Sequence, residues 1–84
     1  MTTKLRNAKK WLEEMQFTPE KIVLTYPDGE KQGLRVDTDY EGPYPGNDVF
    51  QIHNMIRSHI SRHYRNSLSV ESRGHYTAVF IIEQ

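Results

Sequence analysis

The chain of 84 residues contains no cysteine. This absence excludes disulfide bonds, thiolate metal ligands and a cysteine nucleophile within these residues. Small secreted domains often depend on disulfide bonds for stability, so a cysteine-free domain of this length is more typical of a reducing compartment. We therefore expect a cytoplasmic protein.

Long hydrophobic runs are also missing. A helix that spans a bilayer needs about 20 consecutive apolar residues, and no stretch of this sequence comes near that length. The opening segment MTTKLRNAKKWLEE has no apolar run of the kind that a signal peptide contains. We expect no membrane association.

The sequence has no excess of charge of either sign. Eleven Lys and Arg residues balance eleven Asp and Glu residues, so the formal net charge is zero. A strongly basic domain would favour nucleic acid as a partner, and the overall balance gives no such indication. The apolar fraction of 36% and the aromatic fraction of 11% are typical of a folded chain. The length allows one small domain over residues 1–84.

Two segments have apolar side chains at three- and four-residue spacing, which is the pattern of an amphipathic helix. The first helix is predicted over residues 2–16, with one of the two threonines at its start as the N-cap. The second is predicted over residues 48–65, with Asn47 or Asp48 as the N-cap. The apolar stripes consist of Leu5, Ala8, Leu12 and Met15 in the first helix and of Val49, Ile52, Ile56 and Ile60 in the second.

Two further segments alternate apolar and polar residues around a turn, which predicts two β-hairpins. The first covers residues 21–36 with the turn PDGE, and the second joins residues 67–72 to residues 75–83 through Arg73 and Gly74. The first and last strands carry apolar side chains on both faces, which is typical of central strands. We therefore predict an α+β fold of element order α-β-β-α-β-β. Two helices would pack on a four-stranded, mainly antiparallel sheet of strand order 2-1-4-3.

One face of this predicted sheet lacks a cover. Both helices are expected to pack on the face that carries Ile22, Leu24, Phe80 and Ile82. The stripe on the reverse face consists of Val23, Val79 and Ile81. Monomers seldom leave a contiguous apolar stripe in water, so either one helix crosses to cover this stripe or the stripe binds a second copy of the chain or another protein.

The segment DTDYEGPYPGN, residues 37–47, is predicted to form a long loop because two prolines and two glycines interrupt regular structure. Long loops in small domains are often functional. Tyrosines supply contact area at low entropy cost, and prolines order a segment before it binds. The loop is therefore predicted to bind a protein partner. The residues assigned to this contact are Asp39, Tyr40, Glu41 and Tyr44.

The same loop has a partial likeness to a calcium-binding loop. Counted from Asp37, carboxylates occupy places 1, 3, 5 and 12, and Gly42 occupies place 6. However, places 7 and 9 are prolines, place 12 is Asp48 rather than a bidentate glutamate, and a strand leads in. Calcium is the weaker interpretation, and no cofactor is predicted.

Basic residues of both predicted helices support an alternative in which the chain binds nucleic acid through its phosphates. These residues are Arg6, Lys9, Lys10, Arg57, Arg62 and Arg65. In the second helix they are expected to spread around the axis instead of forming one stripe. The cations near the end of that helix also match its macrodipole without any ligand.

Histidines suggest a third hypothesis, a small metal-binding domain. His59 and His63 are four residues apart and share one side of the second helix. A third ligand would have to come from His53, His75 or a carboxylate, and nothing in the sequence brings one near. No metal ligand is therefore assigned.

No catalytic motif occurs in the sequence. A nucleophile elbow, a glycine-rich phosphate loop and a metalloprotease signature are all missing, so no catalytic residue is assigned. We predict a small non-enzymatic protein-interaction domain, of inhibitor or adaptor type, that binds through the Tyr-containing acidic loop and adjoining charged surfaces. Nucleic-acid binding and metal binding are the alternatives.

Overall fold

A computed structural model of the protein describes residues 1–38 and 48–84. The helices are α1, Thr3–Glu14, and α2, Val49–Tyr64. The strands are β1, Glu20–Tyr26, β2, Gly29–Asp37, β3, Leu68–Arg73, and β4, Ala78–Glu83. The predicted α+β class, element order and four-stranded antiparallel sheet are confirmed. Neither of the two helices in the described ranges is long and apolar enough to cross a bilayer.

Side-chain caps set where both helices begin. The hydroxyl of Thr2 accepts a hydrogen bond from the backbone N–H of Leu5 at 3.2 Å. The carboxylate of Asp48 accepts one from the N–H of Phe50 at 2.8 Å. Each cap satisfies an N–H group that has no partner within the helix. The predictions of a threonine cap for α1 and of Asp48 for α2 are therefore confirmed.

The strand order is β1-β2-β4-β3, which corrects the predicted order at one end of the sheet. Strand β4 is central, as expected, but its second neighbour is β2, and β1 forms an edge. A Cβ atom on Gly33 would lie 2.7 Å from the carbonyl oxygen of Ile81, so β2 approaches β4 this closely because residue 33 has no side chain. Strand β2 also buries Leu34 and Val36 completely, whereas the apolar residues of β1 are half-buried or exposed.

Both helices cover the same face of the sheet. On that face Leu34 and Val36 of β2 lie opposite Ile81 and Val79 of β4. The helix residues that join this core are Leu5, Ala8 and Leu12 of α1 and Ile56 and Ile60 of α2. Full burial of a leucine, isoleucine or valine side chain contributes about 1.5–3 kcal/mol. This single apolar layer therefore supplies much of the stability of the domain.

The packing corrects the predicted partner stripe of Val23, Val79 and Ile81. Val79 and Ile81 are 0% exposed beneath the helices, and Val23 is 55% exposed on the edge strand β1. The prediction assigns the helices to the wrong face, because alternation along a strand tells which residues share a face but not which face is covered.

The opposite face of the sheet carries no helix within the described ranges. We call it the helix-free face, and its apolar side chains are Ile22, Leu24, Tyr26, Phe80 and Ile82. The guanidinium of Arg73 lies 4.4 Å from the ring centre of Phe80, and the ammonium of Lys31 lies 5.2 Å from that of Tyr26. These cations shield part of the aromatic surface, and the ion pair of Arg35 with Asp37 at 2.7 Å lies beside Phe80 on the same face.

Strand β4 begins at Ala78, three residues later than predicted. His75 and Tyr76 have φ angles of 55° and 69°, a left-handed conformation that a strand does not accept. The N–H of Thr77 donates to the carbonyl oxygen of Gly74 at 3.2 Å. The chain therefore turns between β3 and β4, and Tyr76 lies in that turn.

Replacing Gly33 with alanine tests the contact between β2 and β4. The added methyl group meets the backbone of β4, and overpacking of this kind destabilises a fold by about 1–3 kcal/mol. We expect Gly33→Ala to lower the midpoint of thermal unfolding by at least about 4 °C, measured by circular dichroism. The control Glu30→Ala changes an exposed residue of the same strand and should leave the midpoint nearly unchanged. A wild-type midpoint in Gly33→Ala would contradict this strand order.

Candidate functional site

The outer flank of α2 concentrates positive charge that the zero net charge of the chain conceals. Residues 49–70 contain three arginines and no aspartate or glutamate. A surface cavity of about 630 Å³ is lined by Arg57, Ser58, Ser61, Arg62 and Arg65. We call this cavity the arginine groove. The three arginines are spread over about 140° around the helix axis, as expected, and still line this one surface cavity.

Packing on the other sides of α2 determines where the arginine groove lies. His53, Ile56 and Ile60 point into the core. The ring of His59 stacks on Trp11 of α1, with 3.7 Å between ring centres and 6° between planes, so α1 covers one flank of α2. The opposite flank lies along the edge strand β3, where a second cavity of about 330 Å³ is lined by residues of the arginine groove and of β3.

The arginines of the groove differ in how they are held. Arg57 reaches across to β3, where Nη1 donates to the carbonyl oxygen of Val70 and Nη2 to the hydroxyl of Ser72, both at 3.0 Å. Arg62 and Arg65 form no side-chain hydrogen bond or ion pair with any residue in the described part of the chain. The groove thus combines one fixed guanidinium with two that are available to an anionic ligand.

A buried hydrogen-bond chain connects Arg57 to the interior. The hydroxyl of Thr38 donates to the carbonyl oxygen of Tyr76 at 2.8 Å, so it accepts from Nε2 of His53 at 2.6 Å. On the other side of the ring, Nδ1 lies 2.7 Å from Oγ of Ser72. In a neutral ring whose proton is on Nε2, Nδ1 has only a lone pair and accepts the hydroxyl proton of Ser72, whose oxygen also accepts from Arg57. A neutral imidazole with its proton on Nε2 satisfies every group of this His53 chain.

The surroundings of His53 favour that neutral form. The side chain is 1% exposed, and burial lowers its pKa below the ordinary value of 6.5. The nearby carbonyl oxygen of Tyr76 raises the pKa of His53 and so opposes burial, and the charge of Arg57 lowers the pKa further. Both ring nitrogens are engaged within the protein, so His53 has none left for the metal site considered from the sequence.

The other two histidines of that hypothesis also have a packing role. The ring centres of His59 and His63 lie 4.4 Å apart. Burial lowers the pKa of His59, and the charges of His63 and Arg62 add to this effect. Within residues 1–38 and 48–84, no group of three histidine or carboxylate side chains is placed to hold a metal ion. The stacking of His59 on Trp11 instead ties α2 to α1.

The basic residues of α1 do not extend the arginine groove. Arg6 donates to a backbone carbonyl oxygen at 3.2 Å, and Lys9 pairs with Glu13 at 3.2 Å. At 100° per residue, Arg6 and Lys9 lie about 140–160° around the helix from Trp11, the residue that faces α2. Lys10 is exposed and lies between these two directions. Of the six residues predicted to contact nucleic acid, the structure brings together the three of α2.

The loop residues Asp39, Tyr40, Glu41 and Tyr44 lie outside the described residues. Their predicted contact with a protein partner therefore stays a prediction, as does the calcium interpretation of the same loop.

The His53 chain could be anticipated only in part. His53 lies three residues before Ile56 on the buried stripe of α2, and a histidine on an apolar stripe indicates a buried, hydrogen-bonded ring. Its partners Thr38 and Ser72 are 15 and 19 residues away along the chain. No local pattern indicates contacts over such separations.

We expect acid to destabilise the fold through His53. Because its folded-state pKa lies below 6.5, the unfolded chain binds the proton more readily. Stability is therefore complete above about pH 6.5 and falls as the pH drops toward the lowered folded-state pKa. Urea unfolding between pH 5 and 8 measures this loss. His53→Gln should be less stable than wild type at pH 8, by about 1–3 kcal/mol, and should lose less on acidification.

The matched control is His75→Gln, which removes an exposed histidine. This variant should keep the pH dependence of the wild type. A His53→Gln variant with the full wild-type pH dependence would show that other groups cause the loss in acid.

Comparisons with protein-family models, with curated proteins and with solved structures find no match to this chain.

Proposed function

We propose that this chain is a non-enzymatic nucleic-acid-binding domain that holds phosphate groups in the arginine groove. The observation that supports this proposal is that Arg57, Arg62 and Arg65 share one cavity with two serines. No acidic residue occurs between positions 49 and 70. The proposal narrows the hypothesis from the basic residues of both helices to those of α2.

The chemistry of the groove suits phosphate. A guanidinium presents N–H donors in a planar fork that matches two phosphate oxygens, and it keeps its charge at any physiological pH. The hydroxyls of Ser58 and Ser61 add donors between the arginines. Arg57 and Arg65 are eight residues apart, about 12 Å along the helix axis. Along the axis of a stacked strand, which rises roughly 3.4 Å per nucleotide, this distance corresponds to three to four nucleotides.

The zero net charge does not weaken this proposal, because binding depends on the local field. At physiological ionic strength the interaction between exposed charges is largely screened beyond about 8 Å. The nearest carboxylate of β3, on Glu71, is paired with Arg73 at 2.7 Å. The groove therefore keeps a positive potential of its own.

Removal of the two unpaired arginines tests the proposal. Arg62→Gln/Arg65→Gln retains hydrogen-bonding side chains and removes two charges. We expect weaker binding to nucleic-acid oligonucleotides, measured by fluorescence anisotropy over a salt series. The slope of log affinity against log salt concentration should fall by about 1.4–1.8, since each lost phosphate contact releases fewer counterions.

The control variant is Arg6→Gln/Lys9→Gln, which removes the same charge from the far side of α1. It should keep most of the affinity and the wild-type salt slope. Equal losses in the two double variants would indicate general electrostatic attraction, and an affinity that does not change with salt would exclude phosphate binding.

The helix-free face favours a second candidate function, the protein-interaction domain of inhibitor or adaptor type. The half-buried apolar side chains of β1 and of Phe80, with cations beside the aromatic rings, resemble the composition of protein interfaces. Leu24 lies on this face, away from the helix-covered core. A partner protein would bury these side chains without any change in the fold.

A single substitution separates this candidate from the first. Leu24→Lys places a charge on the helix-free face and leaves the arginine groove intact. If the face docks a protein, proteins retained from nuclease-treated host extract by the wild type should be lost with Leu24→Lys and kept with Arg62→Gln/Arg65→Gln. Retention by Leu24→Lys equal to that of the wild type would exclude the face as the docking site.

A further inference from the structure

Phe50, in the first turn of α2, and Tyr76, in the turn between β3 and β4, form an exposed aromatic pair, although aromatic rings are costly to leave in water. Phe50 is 51% exposed and Tyr76 is 39% exposed. Their ring centres lie 4.4 Å apart with the planes inclined by 61°. This edge-on contact keeps both rings in place and leaves ring surface open to solvent. The core does not use this surface.

Tyr76 is held in a conformation that needs support. Tyr76 and the preceding His75 both have left-handed backbone angles, which non-glycine residues adopt at a cost in energy. The carbonyl oxygen of Tyr76 accepts the hydroxyl proton of Thr38, and the Tyr76 ring lies 5.2 Å from the ring of His53. The His53 chain therefore holds this aromatic side chain at the surface.

Phe50 lies on the same flank of α2 as two residues of the arginine groove, Arg57 and Ser61. Seen down the helix axis at 100° per residue, Phe50, Arg57 and Ser61 fall within about 40° of one another. Seven residues separate Phe50 from Arg57, which is about 10 Å along the axis. The exposed rings thus lie at the N-terminal end of the flank that carries Arg57, and Arg65 and Arg62 lie about 60° and 120° around the axis from Phe50.

We propose that this combined surface binds single-stranded nucleic acid, with an unpaired base on the Phe50 and Tyr76 rings and the phosphates in the arginine groove. The proposal rests on the function proposed above and names the class of nucleic acid. Aromatic rings beside a basic groove are the usual means of binding single strands, because every unpaired base offers a flat face for stacking. In a duplex those faces are covered by neighbouring base pairs. The separation of about 10 Å corresponds to three nucleotide steps at the spacing of stacked bases.

The His53 chain supports both halves of this surface. Through Ser72 it fixes the guanidinium of Arg57, and through Thr38 it fixes the backbone of Tyr76. A phosphate contact and a stacking contact are therefore held in one geometry before any ligand arrives. Such preorganisation reduces the entropy cost of binding.

The test compares single strands with a duplex. Single-stranded RNA and DNA oligonucleotides and a duplex of equal length are titrated against the full chain by fluorescence anisotropy at one salt concentration. We expect at least one of the two single strands to bind more tightly than the duplex. Phe50→Ala should weaken the binding of that strand about 5- to 150-fold and leave duplex affinity unchanged. Phe50→Trp, which keeps an aromatic face, should retain the single-strand affinity.

The control Val23→Ala removes a side chain of similar exposure, 55%, from the edge strand β1 and should bind like the wild type. Phe50 is exposed, so the thermal midpoint of Phe50→Ala should stay near that of the wild type. Equal binding of duplex and single strands, reduced by Arg62→Gln/Arg65→Gln but not by Phe50→Ala, would overturn this inference and leave the proposed function intact. No salt-dependent binding to any of the three nucleic acids would overturn both.

Discussion

Beneath the first turns of α2, one buried imidazole bonds to hydroxyl groups from two other parts of the chain. The ring of His53 joins Thr38, at the end of β2, to Ser72 on β3. These hydroxyls continue to the carbonyl of Tyr76 and the guanidinium of Arg57. With a neutral ring, every donor and acceptor of the chain is satisfied when Nε2 donates to Thr38 and Nδ1 accepts from Ser72. One interaction therefore connects a helix, two strands and a strained turn, and both proposed contact groups depend on it.

The second constraint is the close approach of β2 and β4. Gly33 brings the two strands together, and their register then places Leu34 opposite Ile81 and Val36 opposite Val79. This pairing brings Leu34, Val36, Val79 and Ile81 onto one side of the sheet, and the helices pack on that side. The helix-free face and the outer flank of α2 are what remains in contact with water. Binding surfaces are therefore consequences of the way the core is assembled.

The parts of the site that were predictable are the ones that depend on local spacing. The sequence between residues 49 and 70 contains three arginines and no aspartate or glutamate. The position of His53 on an apolar stripe indicates that its side chain is buried. The arginines line one groove because the stacked rings of His59 and Trp11 occupy the other flank of α2. The sequence does not show which flank those rings occupy. The exposure of Phe50 and Tyr76 also depends on distant residues, since their rings meet across 26 positions of the chain.

The sequence by itself determined the fold class, the element order and each helix cap to within two adjacent residues, because these follow from the spacing of apolar residues and from hydrogen bonds within a few residues. Only the tertiary structure decided the strand order, the face that the helices cover and the charge state of His53. Each of these depends on contacts between segments far apart in sequence, in which backbone approach at Gly33 and burial outweigh the preference of any single strand. The exposed arginines and aromatic rings acquire a shared surface for the same reason.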